Sequence, residues 1–371
     1  MKINLFNALT QFGQMLQRRL LPAIEEETGP LSEKHQQVIT VLALLGMEAH
    51  LDGNHGGRGR PPHDRVALAR TFVAKAVFNL PTTEMLIQLL RSDIVLRRIC
   101  GWETLSQVPD KTVFSRAFKE FAQSELPQRV HESLIRRTQG ERLIGHISRD
   151  ATAIAARERV VKPASPAPQP TIDQPQPKPR RKRGSPKQPE EMTRIERQKT
   201  MTLKEMQADL PRQCAVGCKT NSHGRKETWR GYKLHLDVAD GQIPISALLT
   251  AASLHDSQVA MPLATMTAQR VTNLYDLMDS AYDCQALRTQ SQELGHVPII
   301  ERLHRTKGLV PMAPHEAQRY KQRTSVERVN SRLKDEYGGR YVRVRGHAKV
   351  MAHLMFGLLA LTVDQILRLT T

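Results

Sequence analysis

The chain is poor in aromatic residues, in cysteine and in acid. Phe, Trp and Tyr make up 4% of its 371 residues, which argues against a single-strand nucleic-acid binder built on stacked rings. The four cysteines, Cys100, Cys214, Cys218 and Cys284, are sparse and irregularly spaced. That excludes a disulfide framework and suits a reducing, cytoplasmic setting. Long hydrophobic runs are missing, with one partial exception. Val350 to Leu369 is apolar but interrupted by His353, Asp364 and Gln365, whereas a spanning helix needs about 20 predominantly apolar residues. This stretch reads as a buried helix, and no membrane partner is expected. The opening residues carry polar side chains through every apolar stretch, so no signal-peptide core is expected either.

What is abundant is positive charge. Lys and Arg number 55 against 37 Asp and Glu, a formal net charge of +18. Such a field attracts polyanions and speeds encounter with nucleic acid. Ribosomal, membrane-surface and heparin-binding proteins share this property, so charge alone leaves the partner open.

Three regions separate by composition. Residues 1–140 read as helical and basic. Arg65-Val-Ala-Leu-Ala-Arg-Thr-Phe-Val-Ala follows a Pro61-Pro62 start signal, Thr82 opens a second helix after Pro81, and a third begins near Asp110 with Val113, Phe114, Ala117, Phe118 and Phe121 on one side. Residues 141–371 read as a mixed α/β sheet flanked by helices. That second region is interrupted at about 160–212 by a proline-rich and then Lys/Arg-rich stretch, expected to be a flexible insert or surface arm. Leu143 to Asp150 reads as a strand ending on an acid. Gly231 to Val238 and Ile243 to Thr250 read as a hairpin turned at Asp240-Gly241. Asn273 to Asp279 reads as another strand ending on an acid, His296 to Glu301 as a short fifth strand, and about 315–336 as a helix stopped by Gly338-Gly339.

On that helix, Tyr320, Arg323, Glu327 and Lys334 fall within an arc of about 60° at 3.6 residues per turn. Val326, Val329 and Leu333 occupy another face, suited to packing on a sheet. Taken alone, Arg323 and Glu327 read more plainly as an ordinary ion pair four residues apart on an exposed helix. Asp150 and Asp279, each at a predicted strand end and followed by small residues, change that balance. Three separated acids on a sheet and a helix suit hard divalent cations, with positions left for phosphate and water. Several other polar groups have plainer readings. Cys214, Cys218, His223 and His235 make a weak zinc pattern. Asp256, after His255, reads as a helix cap, as does Asp283.

These segments resemble the DDE transposases of bacterial insertion sequences, in the branch whose signature is Tyr-x2-Arg-x3-Glu-x6-Lys. Here that signature is Tyr320, Arg323, Glu327 and Lys334, with the spacing intact. Ser148-Arg-Asp150-Ala-Thr and Met278-Asp279-Ser-Ala-Tyr282-Asp283 resemble the blocks around the two aspartates of that family. Trp229-Arg-Gly-Tyr-Lys-Leu-His-Leu and Leu254-His-Asp-Ser-Gln258 resemble the stretches between them, and Arg58-Gly-Arg-Pro-Pro62 resembles part of its helical leader.

The resemblance implies a ribonuclease-H-like fold behind a helical, end-binding domain. It also implies Asp150, Asp279 and Glu327 as ligands of two Mg2+ or Mn2+ ions, and Tyr320, Arg323, Lys334, Arg58 and Arg60 as DNA-binding residues. The implied reaction is cleavage at element ends and strand transfer into target DNA, by a homodimer on paired ends. The stretch between Asp279 and Glu327 is too short for the strand-rich insertion some relatives carry, so their hairpin-ended excision is not implied. A metal-dependent nuclease without strand transfer and a non-catalytic DNA-binding descendant remain as alternatives.

Overall fold

A computed structural model describes residues 11–12, 14–51, 63–160, 192–220, 224–302 and 311–369. The first half is helical: α1 (Leu21–Thr28), α2 (Glu33–Leu45), α3 (Arg65–Val77), α4 (Thr83–Ser92), α5 (Ile94–Ile99), α6 (Lys111–Gln123) and α7 (Leu126–Gln139). The starts of α2, α3, α4 and α5 are fixed by side chains that accept hydrogen bonds from otherwise unpaired N–H groups. Asp64 accepts from Val66 and Ala67 at the start of α3, and Thr82 accepts from Met85 at the start of α4. The Pro61-Pro62 signal lies outside the described residues. Phe114, Ala117, Phe118 and Phe121 all turn inward from α6, as their spacing predicts.

Those phenylalanines meet a ring from the far end of the chain. Phe72 on α3 packs against Phe114, Phe118, Phe121 and Phe356, with ring centroids 4.9–6.2 Å apart. Phe356 belongs to α14 (His347–Arg368), the apolar stretch noted in the sequence. By length and composition this helix is apolar enough to cross a membrane, yet 83% of its apolar window is buried inside the protein. Its polar interruptions have partners: Asp364 pairs with Arg332 at 2.6 Å, and Gln365 accepts from the same arginine at 2.8 Å. The apolar core therefore runs without a break from the helical half into the sheet, past residue 140.

Among the described residues the sheet has six strands: β1 (Leu143–Ala155), β2 (Ala215–Thr220), β3 (Lys226–Ala239), β4 (Ile243–Ala251), β5 (Thr272–Met278) and β6 (Val297–Ile300). Their order is β2-β3-β1-β5-β6, with β4 also on β3. β1 pairs antiparallel with β3 and parallel with β5, and β5 pairs parallel with β6. Helices α10 (Ser257–Ala268), α11 (Gln285–Glu293), α12 (Pro314–Tyr320) and α13 (Thr324–Glu336) complete this half.

Two boundaries differ from expectation. β1 does not end on Asp150; it continues five residues to Ala155, because β3 goes on pairing with it as far as Gly231. Gly231 has φ +149°, and any side chain there would strike the carbonyl oxygen of Ile154. The second difference lies in 192–212, expected to be the end of a flexible insert. It folds as α8 (Arg194–Gln198) and α9 (Leu203–Asp209), each opened by a capping box, Thr193 with Glu196 and Thr202 with Glu205. Met206 and Leu210 are buried, and Gln198 donates to the Gln258 carbonyl of α10 at 3.1 Å. Residues 161–191 of that expected insert lie outside the described residues.

Candidate active site

Backbone register brings the two aspartates together. The last parallel pair between β1 and β5 is Arg149 with Met278, so Asp150 and Asp279 follow side by side where β5 stops. Asp150 stays in the sheet opposite Leu236 of β3. Asp279 leaves it, and its Oδ1 accepts from the Ala281 N–H at 3.0 Å, capping the short turn Ser280–Tyr282.

Behind them lies a buried polar network. Arg149, 3% exposed, donates to both carboxylate oxygens of the fully buried Asp237 on β3, at 2.8 and 2.7 Å. Thr267 donates to Asp237 at 2.7 Å. Next door, Asp276 accepts from Ser291 at 2.6 Å and lies 3.1 Å from His296 Nδ1. A bidentate pair of this kind has fixed geometry. It locks β1 to β3 one residue before Asp150.

The electrostatics fit crowded oxygen ligands. Burial pushes the Asp150 carboxyl up to about 7, and the charges of Asp279 and Asp256 push the same way against Arg323 and a backbone hydrogen bond. Burial also raises Asp279, with Asp256 and Glu301 adding to it. Tyr282 is buried beside Asp256, Asp150 and Asp279, and its hydroxyl has no hydrogen-bond partner among the described residues. Adjacent carboxylates that repel one another, next to an orphaned hydroxyl, fit a hard divalent cation by donor chemistry. Among the described residues no group of three or more potential ligands is already assembled around one point.

Asp256 was expected to cap α10 and does not. Its side chain makes no cap hydrogen bond; it accepts from Lys233 at 2.8 Å instead and joins the acids around Asp150. Glu301, just past β6, is a further acid of the cluster. Its backbone N–H donates to Met278 at 3.2 Å, and its carboxylate accepts from the Tyr320 hydroxyl at 3.3 Å. Both acids directly follow or precede regular elements; Asp256 also lies in the Leu254-His-Asp-Ser-Gln258 stretch, whereas Glu301 carries no further signal in the sequence.

The helix expected over about 315–336 is broken into α12, a tight turn at Lys321–Arg323, and α13. Val326, Val329 and Leu333 are buried against the sheet as predicted. Ser148 on β1 donates to the Gln322 carbonyl at 3.1 Å and lies 3.1 Å from the Ser325 hydroxyl, pinning the turn onto the strand. The four signature residues share this side of the protein without sharing one contact point. Tyr320 meets Glu301, and its phenol is raised by burial. Arg323 donates to Glu327 at 2.5 Å and also feels Asp150 and Asp279. Glu327 is half exposed in that ion pair. Lys334 donates to Thr152 on β1 at 2.5 Å, and burial, with Lys219 and Arg340 nearby, lowers its ammonium.

Arg58 and Arg60 lie outside the described residues, as does His223 of the zinc pattern. Of the rest of that pattern, Cys214 is buried, Cys218 is exposed, and His235 is buried 2.9 Å from the Thr250 hydroxyl. Asp283 pairs with Arg288 at 2.8 Å.

Residues 193–363 match the family model of the transposase DDE domain, and residues 27–120 match that of a transposase domain (DUF772). Together the two matches indicate a transposase; the DDE-domain match takes in β2 to β6 and α13 and begins after β1 and Asp150. No curated protein and no solved structure gives a significant match.

Proposed function

We propose that the protein is the transposase of a bacterial insertion sequence, cutting phosphodiester bonds at the element's ends and joining the 3′-hydroxyl strands to target DNA. The observation that carries this reading is the register that sets Asp150 beside Asp279, with Arg323 facing both and paired to Glu327. The strand arrangement, antiparallel on one side of β1 and parallel on the other, supports a ribonuclease-H-like sheet. The helical half is the proposed end-binding domain, and the proposed assembly is a homodimer on paired ends, acting in the cytoplasm on the bacterial chromosome.

In this reading Asp150, Asp279 and Glu327 hold two Mg2+ or Mn2+ ions. Such ions supply activation of the attacking water or 3′-hydroxyl and neutralise charge at the phosphoryl group and leaving oxygen. The chain's own side chains do the positioning. Arg323 exchanges the Glu327 carboxylate for a DNA phosphate, which orients the phosphate and frees Glu327 to turn toward the aspartates. Tyr320, held by Glu301, gives that guanidinium a wall, with Arg323 Cζ 5.8 Å from the ring centroid. Lys334 adds a second phosphate contact from its place on Thr152.

The test is a strand-transfer assay with DNA carrying the element's ends. The proposal expects metal-dependent cleavage and joining, both lost in Glu327→Gln. Cleavage without joining would assign the nuclease alternative. A Glu327→Gln protein that still transposed would sink the catalytic assignment.

A further inference from the structure

Past Thr152, β1 leads into a second feature that the acids do not use. An open trough of about 1030 Å3 is lined by Arg157 and Arg159 beyond the end of β1, by Trp229 and Arg230 on β3, and by Arg345 before α14. The four guanidiniums are exposed and form no ion pair among the described residues. The trough's one acid is already committed. Glu158 accepts from the Tyr232 hydroxyl at 3.0 Å and from the Gly346 N–H at 2.7 Å, so it ties the segment carrying Arg345 to the end of β1. Trp229 is held in place as well: its indole N–H donates to the Tyr232 carbonyl at 3.0 Å, and its ring covers Gly217 of β2.

We propose that this trough carries the phosphate backbone of target DNA, duplex of arbitrary sequence, beside the reacting bond. The inference rests on the transposase reading for the identity of the reaction, and on three observations for the partner. First, four uncompensated arginines converge there, and a guanidinium fork matches phosphate oxygens two at a time. Second, the trough is rigidly spaced from the acids. Ala155 lies about 16 Å along the strand from Asp150 at about 3.3 Å per residue, which corresponds to about five base pairs at 3.4 Å each. Lys334, with Lys219 and Arg340 near it, bridges that interval with further positive charge. Third, three of the four arginines stand on loop backbone and none on a helix that could enter a major groove, so they meet phosphates rather than base edges. Contacts to phosphate fix position without reading sequence. That suits the DNA partner whose sequence varies from event to event rather than the element end, whose sequence must be recognised.

The full-length protein with Arg157→Ala, Arg159→Ala, Arg230→Ala and Arg345→Ala tests this, alongside the matching Arg→Lys set. The first measurement is metal-free binding to a random-sequence duplex over a range of NaCl concentrations. The alanine set should bind at least tenfold more weakly, with the log–log salt slope reduced by about 3 to 4, while the lysine set recovers most of the slope. An unchanged slope overturns the proposal. The second measurement compares end cleavage with joining to target. Joining should fall at least tenfold further than cleavage in the alanine set. An equal fall in both would give the trough to the element end and overturn the target assignment. Wild-type protein that cut no end DNA would refute the transposase reading, and the binding series would still decide whether the trough holds DNA.

Discussion

The two sides of the candidate site are built in different ways. Asp150 and Asp279 are placed by backbone pairing that leaves them little choice: β1 and β5 end their parallel ladder one residue earlier, and Arg149–Asp237 clamps the strand from behind. Glu327 is placed by a helix whose entry is broken at Lys321–Arg323, and its carboxylate is held by a single exposed-side ion pair. One side is preorganised against its own charge repulsion; the other is free to swap partners. In the proposed reaction, a site that must accept DNA before its ligand set is complete has reason to carry the third proposed ligand on the movable side.

The sharpest way to break this comparison is to neutralise each acid in turn. Asp150→Asn, Asp279→Asn and Glu327→Gln should each lower end cleavage by roughly 10^3-fold or more, because each removes a proposed ligand that acts on the charge developing at phosphorus. Their stabilities should diverge. Asp150→Asn removes a carboxylate that burial penalises and should raise the melting temperature. Glu327→Gln loses an exposed i,i+4 pair and should change stability by no more than about 0.5 kcal/mol. Equal stability changes in thermal melts would erase the distinction between the two sides.

Next in size is the clamp itself. Asp237→Ala leaves the Arg149 guanidinium buried and unpaired, and breaking such a pair costs about 3–5 kcal/mol. Denaturant unfolding should show that loss, and the remaining folded protein should cleave poorly because Asp150 sits one residue away. A loss below about 1 kcal/mol would mean that the register does not depend on the clamp.

The same contrast predicts a pH dependence. The Asp150 carboxyl lies at about 7 in the folded protein, against its ordinary 3.8. Between those values the folded state binds a proton that the unfolded state does not, so stability falls as pH rises from about 4 to about 7 and stays low above it. The total change is roughly 2–4 kcal/mol. Asp150→Asn should flatten the curve, and Mg2+ or Mn2+ should restore stability above pH 7 in the wild type but not in the variant. Melting temperature against pH, with and without the ion, reads both effects.

Much of this architecture was legible in the sequence wherever the signal was local. Phe114, Phe118 and Phe121 repeat at helical spacing and turn inward together. Val326, Val329 and Leu333 mark the sheet-facing side of α13, and β5 ends one residue before Asp279. What could not be read was set by partners distant in the chain. Ala151 to Ala155 is small and mixed, and only pairing with β3 makes it strand. Asp256 has the local features of a cap, and Lys233 on β3 draws it away. Residues 192–212 did carry a usable signal. Thr193-x-x-Glu196 and Thr202-x-x-Glu205 are capping boxes, but the proline-rich and basic composition just before them drew the whole stretch into the expected insert.

The smallest expected effect falls where the two sides touch. Lys334 reaches from α13 to Thr152 on β1, so it belongs to the movable side by origin and to the fixed side by contact. Burial lowers its ammonium, with Lys219 and Arg340 adding to this and the charges of Asp335 and Asp150 opposing it. A phosphate placed there supplies a full anionic partner, whereas Thr152 supplies only a neutral oxygen. Lys334→Ala should therefore weaken DNA binding by about tenfold and reduce the salt slope by about 1, nearly uniformly across sequences, while stability changes little. If the variant instead lost stability and kept its salt slope, Lys334 would be a strut between α13 and β1, and the movable side of the site would begin only at Arg323.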